Sequence, residues 1–129
     1  MKFAKYLFYG AGVYGLLTVL PLYVLEGRIA LESPPAITHP EYFYGFVGVV
    51  VAWQLTFLMI GRQPQRLRPV MLGGIAEKVL FAGACIWLYS HGRIVSQTLA
   101  FGCVDLALAV LFLVAYLRTA DPSGDRQRA

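Results

Sequence analysis

The chain has 129 residues, 58% hydrophobic and 14% charged, with a net charge of +4. Soluble domains are about 45–50% apolar and about 25% charged; here the apolar excess falls in long runs, and membrane spans of about 20 residues each leave no room for a separate soluble catalytic domain. The Lys and Arg sit mostly at the ends of those runs rather than on one folded face, which argues against nucleic acid as a partner.

The first span is expected over residues 6–25, with Lys2 and Lys5 before it and no charge inside it. Its apolar stretch is longer than the about 7–15 residues of a signal-peptide core, and no small-x-small cleavage site follows, so it reads as a retained helix. Pro21 is placed to kink its far end. A polar loop is expected next, to about Pro40, because Ser33-Pro34-Pro35 and His39-Pro40 break helix formation. The second span covers residues 42–61 and opens on an interfacial aromatic belt, Tyr42-Phe43-Tyr44. After the basic loop carrying Arg62, Arg66 and Arg68, the third span covers residues 70–90. A tight turn at His91-Gly92-Arg93 leads into the fourth, residues 94–117. The tail, 118–129, is polar and reads as a disordered cytoplasmic end of a single transmembrane domain, 1–129.

Orientation follows from the cation count. Lys2, Lys5, Arg62, Arg66, Arg68, Arg118, Arg126 and Arg128 fall on one side, against Arg28 and Arg93 on the other. The expected fold is therefore an all-α integral membrane four-helix bundle. It runs up-down-up-down with both termini cytoplasmic, multi-pass in the inner membrane. No internal repeat relates spans one and two to spans three and four.

Glu77, Lys78 and Asp105 lie inside spans. A charge there costs about 2.5–3.5 kcal/mol on insertion scales, so each is expected to face the bundle interior with a partner. At about 1.5 Å per residue, Glu77 lies roughly 12 Å and Asp105 roughly 18 Å from the cytoplasmic ends of their spans. Trp53 and Gln54 lie at roughly 10–12 Å, and Tyr14 at a similar height. One layer thus holds Tyr14, Trp53, Gln54, Glu77, Lys78 and Asp105 as candidates for a ligand site or a proton relay. The bland alternative is a hydrogen-bonded network that only fixes helix register.

Helical spacing pairs the stripe Gly73, Glu77, Phe81, Ala84, Leu88, His91 of span three with Gly102, Asp105, Ala109, Phe112, Tyr116 of span four. Glu77 and Lys78 point about 100° apart. The cheapest arrangement turns Glu77 inward and lets Lys78 snorkel toward the headgroups, with a Lys78–Asp105 ion pair as the alternative. The glycines at 10, 12 and 15 read as helix-packing positions.

Two histidines and a carboxylate, His39, Glu41 and His91, are weak metal-ligand candidates at the outer ends of spans two and three, without motif spacing. Cys85 and Cys103 form no C-x-x-C and read as small apolar residues. No phosphate-binding glycine loop, G-x-S-x-G or H-E-x-x-H occurs, so no cofactor is expected and these motifs assign no catalytic residues.

The segment His39-Pro40-Glu41-Tyr42-Phe43-Tyr44-Gly45-Phe46, the later Ala52-Trp53-Gln54 and Glu77-Lys78 resemble small bacterial four-helix membrane proteins. The plan also resembles the DoxX-like proteins and, more distantly, the sterol-isomerase/sigma-2 (EXPERA) proteins, in which intramembrane carboxylates and a tryptophan line a lipid-sized pocket. That resemblance implies that Trp53, Glu77 and Asp105 line such a pocket here. The leading expectation is a non-enzymatic protein that binds a lipid-like molecule or a membrane partner, an oligomer included. The alternatives are a membrane-embedded isomerase-like enzyme on an isoprenoid or sterol-like lipid, with Glu77 and Asp105 as acid and base, and a proton-coupled small transporter.

Overall fold

The structure, a computed structural model, describes residues 2–121 and Gly124; most of the expected polar tail lies outside the described residues. Helix α1 spans Lys2–Val19 and tightens into a 3₁₀ turn over Leu20–Val24. Pro21 is the reason. It has no N–H for the α ladder, and its ring crowds the carbonyl four residues back. The expected polar loop is not wholly irregular, because Glu26–Glu32 forms a short helix, α2. Its sequence is EGRIALE, mostly good helix formers, and Arg28 Nε reaches Glu32 Oε1 one turn on at 2.8 Å. Ser33-Pro34-Pro35 then stops it.

Helix α3 spans Pro40–Arg62, α4 spans Arg68–Ser90 and α5 spans Ser96–Arg118. Both α3 and α4 carry proline in their first turn, where the missing N–H removes no helical bond. The turn before α5 uses Gly92 at φ +67°, a left-handed conformation that suits glycine. No strand occurs among the described residues. Four helical stretches, Lys2–Val24, Pro40–Arg62, Arg68–Ser90 and Ser96–Arg118, are long and apolar enough to cross a membrane. Only 22–28% of each apolar window is buried inside the chain, so most of that apolar surface faces outward, as in a multi-pass membrane protein.

The helices form two close pairs, α1 with α3 and α4 with α5. Glycines set the approach within each. A Cβ on Gly61 would meet the Lys5 carbonyl oxygen at 3.0 Å, and one on Gly12 would meet Leu58 at 2.7 Å. On the other pair, a Cβ on Gly102 would meet the Cys85 Cβ at 2.7 Å. Aromatic rings join the pairs. Phe8 stacks on Phe112 with centroids 4.3 Å apart, and Phe57 meets Phe112 edge-on at 5.0 Å. Ala4, Ala11, Ile60, Met71 and Ala115 complete this core.

At one end of the molecule, Arg68 Nε donates to the Tyr116 carbonyl at 3.1 Å, and its guanidinium lies 3.9 Å from the Tyr116 ring centre. One of the last carbonyls of α5 is thereby capped. At the other end, Tyr44 Oη donates to Glu26 Oε2 at 2.6 Å and its ring stacks near Tyr23, which ties the start of α2 to α3.

Candidate functional site

Lys78 is the centre of the charged site. It is 4% exposed, and its Nζ lies 3.2 Å from Asp105 Oδ1 across the α4–α5 seam. Glu77 Oε2 is 3.5 Å from the same Nζ, a long contact, and that oxygen is buried without a hydrogen bond. The Phe57 ring centre, from α3, lies 5.4 Å from Nζ, within cation–π range. Lys78 therefore does not snorkel. Two carboxylates already surround the ammonium inside the seam, and reaching headgroups would leave both without a cation. The interhelical ion pair is the arrangement found.

The buried face of α4 is correspondingly one residue away from the expected stripe. Met71, Gly74, Lys78, Ala82 and Cys85 are buried, while Ala84 and His91 are exposed. The stripe containing Gly73 and Phe81 turns toward α3. A Cβ on Gly73 would meet the Trp53 ring at 2.7 Å, and Phe81 stacks near Phe46 at 5.9 Å. On α5 the expected face is the inner one, with Gly102, Ala109 and Phe112 buried and Asp105 and Tyr116 half-buried.

The six-residue polar layer is only partly assembled. Glu77, Lys78 and Asp105 form one cluster. Trp53 packs over Gly73 and beside Phe57. Gln54 is fully buried but belongs to the α1–α3 seam. Its Nε2 donates to the Val50 carbonyl at 3.0 Å, and its Oε1 has no hydrogen-bond partner and lies where a Gly15 Cβ would be. No hydrogen bond joins Tyr14 or Gln54 to the cluster among the described residues.

The outer candidates do not converge. His39 Nδ1 lies 3.4 Å from Glu41 Oε1, whereas His91 stacks on Trp87 at 4.4 Å and its Nδ1 contacts the Trp87 carbonyl. Among the described residues, no three His, Cys, Asp or Glu side chains are grouped to hold a metal ion.

No family model, curated protein or solved structure matches the chain. Its own geometry carries the functional argument.

One further feature escapes the sequence pattern. Between α1 and α5 lies an open apolar groove of about 310 Å³, lined by Tyr6, Gly10, Ala11 and Tyr14 from α1 and by Val104 and Leu108 from α5. Gly10 is not a packing position: a Cβ there would meet nothing within 4 Å. Gly12 and Gly15, by contrast, do pack against α3. The spacing Tyr6, Gly10, Tyr14 places these three on one face of a helix, which is the signal a sequence carries for such a wall.

Proposed function

We propose that this chain is a small polytopic protein of the inner (cytoplasmic) membrane. It crosses up, down, up, down with both ends cytoplasmic and binds a lipid-like molecule in the α1–α5 groove. The observation that carries this reading is the open apolar groove between α1 and α5, lined by Tyr6, Gly10 and Tyr14 on one wall and Val104 and Leu108 on the other. Its volume lies at the small end of the about 300–1,000 Å³ typical of ligand sites. A groove facing hydrocarbon is filled by an apolar chain, since a void forfeits dispersion contacts along its lining. Binding is favoured over acid–base catalysis because Glu77 and Asp105 are engaged with Lys78 inside the α4–α5 seam.

The test is native mass spectrometry of the protein released from its own membrane in mild detergent. A stoichiometric small molecule is expected on the wild type. It is lost on Gly10→Leu, which fills the groove from an open position and leaves helix content and thermal midpoint unchanged. A bare wild-type chain overturns the reading.

A second reading, a proton-coupled transporter, is favoured by the charge count of the cluster, one ammonium against two carboxylates. In proteoliposomes it requires a dye-detected proton flux that Glu77→Gln and Asp105→Asn each abolish. Flux unchanged by either substitution eliminates it.

A further inference from the structure

The groove has a direction, and its two ends differ. From Tyr6 to Tyr14 is eight residues, about 12 Å of helix. The hydrocarbon half of one leaflet is about 15 Å, half of the about 30 Å core. The groove therefore matches the depth of a single leaflet. Tyr14 lines its far end.

The end toward the chain termini is basic. Lys5 Nζ lies 5.8 Å from the centre of the Tyr6 ring, which itself lines the groove. Across the α1–α5 seam, the Arg118 guanidinium lies 5.5 Å from the Phe3 ring, about one turn beyond Tyr6. Lys5 and Arg118 are both exposed, and neither is ion-paired to a carboxylate among the described residues. An apolar trough one leaflet deep, with two cations at its mouth, is complementary in length and charge to one class of molecule.

Resting on the groove reading above, we infer that the occupant is an anionic phospholipid of the surrounding bilayer. One acyl chain lies along Gly10 and Ala11, and the phosphate sits between Lys5 and Arg118. A second basic recess, lined by Arg62, Gln63, Pro64, Gln65 and Arg66, lies at the α3–α4 loop, and its lining has no residue in common with the apolar groove. Arg68, the remaining cation of that region, is held by the Tyr116 carbonyl and ring.

The experiment offers delipidated protein an equimolar mixture of phosphatidylglycerol and phosphatidylcholine with identical acyl chains, at low salt, and reads the bound species by native mass spectrometry. Each cation near an anionic lipid contributes roughly fivefold, so wild type is expected to retain phosphatidylglycerol about 25-fold over phosphatidylcholine. The double variant Lys5→Gln/Arg118→Gln is expected to hold both lipids about equally, because the groove is intact. Gly10→Leu is expected to release both.

Equal retention by the wild type, with release by Gly10→Leu, overturns the headgroup inference while the groove reading stands. So does a preference that survives Lys5→Gln/Arg118→Gln and disappears in Arg62→Gln/Arg66→Gln, which assigns the headgroup to the loop recess. A wild type that retains neither lipid overturns the inference and withdraws its support from the groove.

Discussion

Lys78 is held by two carboxylates and one aromatic ring and is almost wholly buried in the α4–α5 seam. Removing one partner of a buried pair leaves an uncompensated charge, at about 3–5 kcal/mol. Neutralising one of two carboxylates instead leaves a one-to-one pair and forfeits about one hydrogen bond, about 1 kcal/mol. Lys78→Met is therefore expected to destabilise the protein far more than Glu77→Gln or Asp105→Asn, as measured by denaturing-detergent titration followed by circular dichroism. Equal losses for all three would mean that the cluster is not held by its cation. Gln54 poses a different residue-scale problem. Its carboxamide occupies the space that a side chain at Gly15 would need. Gly15→Ala is expected to cost about 1–3 kcal/mol from overpacking. In a Gln54→Ala background the same change is expected to be close to neutral, and a double-mutant cycle in the same titration measures that coupling.

At the scale of elements, the helices were legible because each is a long apolar run bounded by prolines, glycines or arginines. The facing of α4 was not legible. Gly73-Gly74 and Glu77-Lys78 are adjacent pairs of like type, so two stripes about 100° apart fit the sequence equally well, and only the neighbouring helices distinguish them. The face opposite Asp105 is the one carrying Lys78, since an ammonium and a carboxylate attract while two carboxylates repel. Small residues do not all serve packing either. Gly102→Val is expected to weaken the α4–α5 pair by about 1–3 kcal/mol, because its Cβ would strike the Cys85 Cβ rather than a flexible tip. Gly83→Val, with nothing within 4 Å, is expected to leave the unfolding midpoint within error. Matching losses at both positions would contradict this packing. The short α2 departs from the expected polar loop: the prolines after it break helix only from Ser33 on, and EGRIALE carries its own i,i+4 ion pair.

For the whole molecule, the proposed orientation makes a labelling prediction. A membrane-impermeant maleimide is expected to modify Ser33→Cys in intact cells, and Gln65→Cys only after permeabilisation. The native cysteines make little background, since Cys85 is buried and Cys103, though exposed on α5, lies inside a membrane-length apolar helix out of reach of a water-borne maleimide. The opposite pattern would invert the topology. The two helix pairs meet through one aromatic core near the Arg68 end, and α1 and α5 touch over a short length only, which leaves room for the groove.

Length, apolar runs and breaker residues were sufficient for an all-helical chain with four membrane-length helices, because in hydrocarbon a backbone must satisfy its own hydrogen bonds and a long apolar helix does so alone. The same residues narrowed the polar site to Tyr14, Trp53, Gln54, Glu77, Lys78 and Asp105 by the expense of burying them. Which of these meet was decided only in three dimensions. Helix rotation depends on steric fit between neighbours, and a single chain pattern of period 3.6 does not specify which stripe meets which partner. Lys78 went to Asp105 because the charges attract across the seam, whereas Gln54 went to Gly15, where only a glycine leaves room for its carboxamide, and Gly10 was left facing open space.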